Sequence, residues 1–469
     1  MVRARWGIAI ALVLLLMSPG IAQAHARLKS SAPASSSHLG VVPRELRLDF
    51  SESPELGFTS VRITGPDGRE VALAPPRYAV DSRRAIVASV MGSMVAGSYT
   101  VVWQIAGDDG HPIRGQFTFV IAPGAAGIGG QDMQMTPGTQ VHHDPVSMPT
   151  GESFGSESPA YVFARWLQFV GLLLAIGASV FRYGVLGMLR SDDATAGGAL
   201  AARIASAQQR AARIGFMAIV LLGVSLLLRL GAQSFAMHGA AGAFDISLAA
   251  QMVLNTQWGS GWMVQLAGVL VAGFAYRRAG ELSGRWWMLA TAGVALAAVS
   301  PALSGHAASA PRFGLLAIFA DWLHVLAASS WLGTLAVLLL AGLAAAKEGP
   351  ADERGRFVRS LVMRFSPVAL ASAGLATVTG VFAAWIHVGT VPNLWGTRYG
   401  ITLLVKLGVL GVVTLTGFYN WRYVQPRLGT DDATARLRQS ASVEVGVAFV
   451  VLLITAVLVA SPTSMDAAM

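Results

Sequence analysis

The chain has 469 residues, of which 54% are hydrophobic and only 13% are charged, a composition too apolar for a soluble protein. A formal net charge of +9 at pH 7 is compatible with nucleic-acid binding, but an exported N-terminus argues against that function class. Because the chain has no cysteine, disulfides and thiolate ligands are excluded. Any metal site must therefore use His, Met, carboxylate, amide or amine groups, and methionine is the remaining soft ligand.

Residues 1–24 have the pattern of a secretory signal peptide. A basic start precedes an apolar run from Trp6 to Met17, and an Ala-x-Ala cleavage signature ends at Ala24. Cleavage there leaves His25 with a free α-amine. Because the amine and the imidazole of one residue can close a chelate ring, this histidine is a candidate metal ligand. The alternative is that His25 falls at the cleavage site by chance.

Residues 25–122 are predicted to form a small all-β domain. Short runs with alternating polarity recur between turn signals such as Gly65-Pro66-Asp67-Gly68. The predicted strands are Leu46–Phe50, Val61–Thr64, Val71–Leu73, Ala85–Val90, Tyr99–Ile105 and Gln116–Ile121. This spacing favours a β-sandwich or a Greek-key barrel.

Residues 123–158 are rich in Gly, Pro, Ser and Thr, which predicts a flexible linker outside the membrane. The linker contains thioether and imidazole groups that can carry a soft metal ion between sites. These candidates are Met133, Met135, His142, His143 and Met148. The alternative is a polar tether in which these side chains are incidental.

Residues 159–469 are predicted to be an all-α polytopic membrane domain, since apolar runs long enough to cross a bilayer recur eight times. The predicted spans are 161–186, 212–231, 258–276, 286–304, 313–346, 365–387, 399–421 and 442–461. Lys and Arg are concentrated in every second connecting segment, whereas 232–257, 305–312 and 388–398 hold almost none. By the positive-inside rule, the N-terminal domain and the C-terminus both lie on the periplasmic or extracellular side of the inner (cell) membrane.

The segment Asp109-Gly110-His111 lies between two predicted strands. Asp-x-His in an extended backbone directs a carboxylate oxygen and an imidazole nitrogen to the same side. Together with the amine and ring of His25 it makes a nitrogen-rich set with one oxygen, which suits tetragonal divalent copper. The alternative is that Asp109 makes only the local hydrogen bond usual for a turn aspartate.

The stretch from His25 to Ala34, with Trp103-Gln104-Ile105 and the run from Asp109 to Phe119, resembles the CopC copper-resistance family. The resemblance implies a cupredoxin-like β-barrel outside the membrane. It also implies a Cu(II) site made by the mature N-terminal histidine and the Asp-x-His motif. In this sequence those ligands are His25, Asp109 and His111.

Several ionisable residues fall in or near the predicted spans, where they are costly and usually face a bundle interior or a pathway. Asp321 and His324 are three residues apart, so they share one helix face. We predict a polar vestibule open to the periplasm, with these candidate copper contacts: His306, His324, His387, Asp321, Met237 and His238. The alternative is structural, with Asp321 paired to Lys406 or an arginine and the histidines bonded to backbone.

The membrane part resembles the CopD family, through Ser304-Gly305-His306, the run from Asp321 to Gly333 and the run from Tyr399 to Lys406. The order of domains is similar to CopC–CopD fusions implicated in copper uptake. The resemblance implies capture of Cu(II) outside, delivery to the membrane domain and import, with Cu(I) as a form held within the bilayer. Copper ions, the lipid bilayer and periplasmic copper chaperones are the implied partners, with no nucleic acid.

The sequence leaves other functions open. No ATP-binding loop, phosphorylation motif or catalytic constellation is present, so we predict a protein that is not an enzyme. One alternative is periplasmic copper sequestration for resistance, without transport. Another is a membrane b-type cytochrome in which His324 and a second helix histidine ligate haem. The direction of transport and its driving ion are not encoded in any motif.

Overall fold

The computed structural model describes most of the chain, which forms two units. The described stretches are 28–51, 53–107, 112–126, 158–192, 198–279, 284–305, 313–348 and 351–461. The first unit, the β unit, contains the described N-terminal residues together with 233–260. The second, the helical unit, contains the described residues of 157–232 and 261–465. The predicted signal peptide lies outside the described residues.

Nine strands form two sheets in the β unit. They are β1 Leu28–Ala32, β2 His38–Val41, β3 Glu45–Phe50, β4 Ser60–Thr64, β5 Glu70–Val71, β6 Arg77–Tyr78, β7 Ala85–Ser89, β8 Gly97–Ala106 and β9 Pro112–Ala126. One sheet has the order β1-β3-β7-β6, and the other has the order β2-β9-β8-β4-β5. β2 pairs with β9 in parallel, and the other strand pairs are antiparallel. Two sheets around one core confirm the predicted sandwich.

The core of the sandwich follows from strand alternation. On β3, Leu46, Leu48 and Phe50 are buried, whereas the residues between them are half-buried. The Phe50 ring meets the Trp103 indole of the other sheet edge-on, with ring centroids 5.2 Å apart. Each large apolar side chain buried in this way stabilises the fold by about 1.5–3 kcal/mol. Gly115 pairs with Trp103 across the β8–β9 ladder, and a side chain there would overlap the indole.

β8 and β9 form a long hairpin on either side of the Asp-x-His segment in the sequence. Their pairing runs without interruption from Gly97 opposite Ile121 to Ala106 opposite Pro112. The segment predicted to bind metal therefore follows directly from the last pair of the ladder. Strands β1, β2 and β6 were absent from the sequence prediction. All three are short strands at sheet edges, and their pairing, rather than an alternating pattern, makes them strands.

Eight helices within the described residues are long and apolar enough to cross a membrane, which confirms the predicted number. They are α1 Pro159–Leu189, α2 Leu200–Gly242, α4 Gln257–Ala279, α5 Gly284–Leu303, α6 Gly314–Ala345, α7 Glu353–Val388, α8 Arg398–Arg427 and α9 Asp432–Ala460, with the shorter α3 Ile246–Asn255 before α4. The chain is therefore a multi-pass membrane protein. Backbone contact between Gly177 of α1 and Gly333 of α6 leaves no room for a side chain at either position, as is usual where membrane helices cross closely.

The segment 232–257, predicted as a loop between two spans, is largely helical. α2 continues to Gly242, with a break in helical geometry at Gly239 (φ 67°), and α3 fills most of the remainder. Asp245 caps α3 by accepting hydrogen bonds from the backbone N–H groups of Ser247 and Leu248. Hydrogen bonds from the hydroxyl and backbone of Ser247 hold the pKa of Asp245 below its usual value. The predicted end of this span was placed where hydropathy falls. A helix can continue past that point and ends only where its backbone hydrogen bonding ends.

Candidate metal centre

The three predicted ligands of the N-terminal site lie outside the described residues, as do His306 and the linker candidates. The first set is His25, Asp109 and His111, and the linker set is Met133, Met135, His142, His143 and Met148. The structure describes the frame on both sides of the Asp-x-His segment and the remaining candidates in the helices. Within the described part of the chain, no group of three or more His, Cys, Asp or Glu residues is arranged to hold a metal ion.

The β8–β9 hairpin contacts the end of α2 within the β unit. Gln104 of β8 donates a hydrogen bond from Nε2 to the backbone oxygen of Met237, at 2.7 Å. Its cross-strand partner Arg114 donates from Nη2 to the backbone oxygen of Ala236, at 2.9 Å, and from Nε to the Gln104 side-chain oxygen. This pair lies two residues, about 7 Å, from the end of the ladder. The hairpin is thus held against the backbone of Ala236 and Met237 near the last described pair of its ladder.

A second contact within the β unit involves Gln257, the first residue of α4. Glu55 accepts a hydrogen bond at Oε1 from the backbone N–H of Gln257, at 2.6 Å. Gly57 lies so close to Thr256 that an added Cβ would be 2.8 Å from the threonine methyl group. Segment 233–260 is therefore held at both of its ends by the sandwich.

Met237 and His238 differ in exposure and in chemistry. The Met237 side chain is buried, and His238 is half-buried. The Ser234 hydroxyl donates to the backbone oxygen of Ala243 at 2.8 Å, so the 3.4 Å contact between Ser234 Oγ and His238 Nδ1 has the imidazole as donor. A proton on Nδ1 leaves the lone pair on Nε2, which is the nitrogen able to bind a metal.

His324 is held in the same tautomer by a different set of contacts. Its Nδ1 lies 3.0 Å from the backbone oxygen of Ala376 and 3.1 Å from the hydroxyl of Thr379, both on α7. Because a carbonyl oxygen only accepts, Nδ1 must carry the proton and Nε2 the lone pair. Histidine ligands of metals commonly donate their other N–H to a backbone carbonyl, which orients the ring. The ring also rests against Gly380, where a Cβ would lie 3.1 Å from Cε1.

The structure brings Asp321, His324 and Lys406 into one electrostatic group in the helical unit. Asp321 and His324 lie one turn apart on α6, and the Lys406 ammonium on α8 interacts with both. His387, at the end of α7, packs edge-on against the Tyr399 ring with centroids 6.3 Å apart. This arrangement fits the predicted vestibule and also the structural alternative in which Asp321 and Lys406 are partners.

Sequence reasoning missed Glu444, a carboxyl group buried on α9. Its Oε2 accepts a hydrogen bond from Asn420 Nδ2 at 3.3 Å, and Ser440 in turn donates to the Asn420 side-chain oxygen. The available signal was an acidic residue inside a predicted span, where a charge is costly and usually functional. By the predicted orientation Glu444 lies in the cytoplasmic half of α9.

Comparisons with known proteins match three segments of the chain. Residues 28–122 match the CopC domain, 156–312 match the copper resistance protein D-like N-terminal domain, and 359–458 match copper resistance protein D. Helix α6, with Asp321 and His324, lies between the last two segments.

Relatives cover both the whole chain and its N-terminal part. Copper transport protein CutJ of Bacillus subtilis is 26% identical over 429 residues, which are 89% of this chain and 71% of that protein. Copper resistance protein C of Pseudomonas syringae pv. tomato is 32% identical over 111 residues, 23% of this chain and 87% of that protein. The crystal structure of PcoC, a methionine-rich copper resistance protein from Escherichia coli, is 30% identical over 21% of this chain and 99% of that one, with a TM-score of 0.19.

Proposed function

Because the chain belongs to the copper-resistance family that joins a CopC domain to a copper resistance protein D membrane domain, we propose that it captures divalent copper outside the inner membrane and imports it. The family is one of copper binding and transport, not of enzymes. The N-terminal domain and the C-terminus lie on the periplasmic side in this proposal, as the distribution of Lys and Arg between the spans indicates.

In the proposed capture step, the mature N-terminal histidine chelates Cu(II) through its amine and ring. Asp109 and His111 complete a nitrogen-rich set with one oxygen. His111 directly precedes Pro112, the first residue of β9. The β8–β9 ladder, which ends with Ala106 opposite Pro112, brings the two flanks of this segment next to each other.

One observation carries the proposal that captured copper passes to the membrane domain. Gln104 and Arg114, at the base of the hairpin tip, donate hydrogen bonds to the backbone of Met237 and Ala236. That backbone is the end of α2, a helix long and apolar enough to span the membrane. This segment carries the Met237 thioether and the His238 imidazole, so we propose it as the next copper contact after the N-terminal site.

The proposed membrane path uses Met237 and His238 first and His324 deeper in the bilayer, with His306 and His387 on the same side. Thioether ligands favour monovalent copper, so Cu(I) is the form proposed for this path. The Nε2 atom of His324 is the proposed contact, since its other ring nitrogen is occupied by α7. Asp321 supplies negative charge beside it.

Copper accumulation in cells tests both sites. We expect His111→Ala and His324→Ala each to lower cellular copper relative to the intact protein. His38→Ala, an exposed histidine on β2, serves as the matched control and should leave accumulation unchanged. If both test variants accumulate copper like the intact protein, the assignment of these sites to import is wrong. If cells without the protein hold as much copper as cells with it, sequestration is the better description.

A further inference from the structure

A second buried polar cluster occupies the helical unit, apart from the candidate copper contacts. It is built from four helices, α1, α2, α4 and α5, together with the residue that follows α5. Its members are Arg165, Gln168, Arg229, Gln265, Ser300 and Ser304, named the arginine cluster below. Arg165 is 5% exposed, Arg229 is 2% exposed and Gln265 is fully buried.

The side-chain oxygen of Gln265 is the centre of this cluster. It accepts hydrogen bonds from Gln168 Nε2 at 2.9 Å, from Arg229 Nη1 at 3.0 Å and from the Ser300 hydroxyl at 3.0 Å. Because a guanidinium only donates, the atom that receives it must be the amide oxygen, so the Gln265 amide has one possible orientation. Arg229 Nη2 also donates to Ser304, whose hydroxyl donates onward to the Ser300 backbone oxygen.

This arrangement leaves buried donors without a partner in the part of the cluster that the structure describes. Gln265 Nε2 and Arg165 Nη1 are both buried, and neither has a hydrogen-bond partner among the described residues. The Arg165 guanidinium lies over the Tyr161 ring, 4.5 Å from its centroid. This contact uses one flat face of the guanidinium and gives its Nη1 hydrogens no acceptor. A buried donor without an acceptor costs free energy.

The cluster also has an excess of positive charge. Arginine stays protonated in proteins, so Arg165 and Arg229 bring two charges, and they lie close enough to repel each other. Segments 159–191, 200–242, 257–279 and 284–303 contain no Asp or Glu, so these four helices supply no carboxylate to balance them. Burial of two like charges without a countercharge costs free energy, which an anion of opposite sign offsets.

We propose that the arginine cluster binds a small inorganic monoanion, of which chloride is the simplest case. Arg165 Nη1 and Gln265 Nε2 are the direct donors, and Arg229 contributes charge. An ordered water molecule can accept the same hydrogen bonds but cannot offset the charge. This inference does not rest on copper import. In an importer, the bound anion lowers the positive potential that a copper ion meets in the outer half of the membrane.

The thermal stability of the full-length protein in detergent tests the proposal. Chloride is compared with gluconate at equal ionic strength, and bromide and nitrate are added as further small monoanions. We expect a saturable rise in Tm on the order of 5 °C when chloride exceeds its Kd roughly a hundredfold, and no rise with gluconate. Arg165→Gln should abolish the rise. Arg182→Gln, which removes another buried guanidinium from the same helix, should retain it.

Direct binding keeps the test decisive if Arg165→Gln does not fold. Equilibrium dialysis of the intact protein against radioactive chloride should show saturable binding with a stoichiometry of about one per chain, displaced by bromide. Equal stability in chloride and gluconate, or the absence of saturable chloride binding, would overturn the proposal and leave water as the occupant of the cluster.

Discussion

Substitution of Gly380 by alanine tests whether the placement of the His324 ring matters for copper uptake. The added Cβ would lie 3.1 Å from His324 Cε1 and 3.5 Å from Nδ1. Ordinary van der Waals contact begins at 3.4 Å, so the ring must withdraw from α7 by at least 0.3 Å (3.4 minus 3.1 Å). The same movement lengthens the bond from Nδ1 to Ala376, which starts at 3.0 Å.

The expected size of the effect follows from that hydrogen bond. Lengthening it beyond about 3.2 Å removes part of its stabilisation, which is about 0.5–1.5 kcal/mol for a typical protein hydrogen bond. A ligand held less firmly by that amount loses about two- to tenfold in effective affinity. We therefore expect the copper uptake of the Gly380→Ala variant to fall by a factor in that range.

The same helix offers a matched control. Gly374, also on α7, has nothing within 4 Å of the position of an added Cβ. Both substitutions gain helix propensity of about 1 kcal/mol or less. In Gly380→Ala the weakened His324 hydrogen bond offsets this gain, so Gly374→Ala should unfold slightly above the Tm of the parent and Gly380→Ala close to it. The assay is the initial rate of copper uptake, with expression and Tm measured in parallel. Equal uptake by the two variants would refute the placement of His324 in the path.

Two further predictions concern the β unit. Arg114→Ala removes the hydrogen bond to Ala236, so amide hydrogen exchange in 233–260 should quicken, whereas Arg69→Ala, in an exposed turn, should leave it unchanged; equal protection in both variants would contradict the docking. The Arg47 guanidinium holds the pKa of Asp81 below its usual 3.8, so this pair stabilises the fold above about pH 4 and the contribution is lost as pH falls further. In the parent, the unfolding midpoint of the β unit should fall as the pH is lowered below 4, and in Asp81→Asn it should fall less steeply. Unfolding is followed by tryptophan fluorescence. An equal slope in the two proteins would show that other carboxylates cause the fall.

The sequence predicted the helical architecture well because membrane spans are encoded locally. A run of about 20 apolar residues must cross the bilayer whatever surrounds it, and all eight predicted spans were confirmed. The end of α2 was misplaced because helices continue beyond the apolar layer when no residue interrupts their bonding. Gly239 is the first such break, and it lies beyond the predicted end at residue 231.

Sequence reasoning about the candidate sites identified residue types rather than arrangements. The absence of cysteine and the pattern of histidines and methionines restrict any metal site to nitrogen, oxygen and thioether ligands. Glu444 was overlooked although it lies inside a predicted span. Arg165 and Arg229 lie near the ends of two predicted spans, but the sequence does not show that they share one cluster. Gln265, which joins them, carries no charge, so nothing in its local sequence marks it.

By itself the sequence determined the number of spans and the alternating core strands of the sandwich, since each depends on neighbours within one element. The orientation of the spans stays a prediction from loop charge. Only the tertiary structure decided that Gln104 meets Met237, that the His324 ring donates to α7 and that three donors converge on Gln265. Each of these contacts joins residues more than 30 positions apart. Periodicity and composition describe which residues are buried, but they do not specify which distant partner a buried polar group finds.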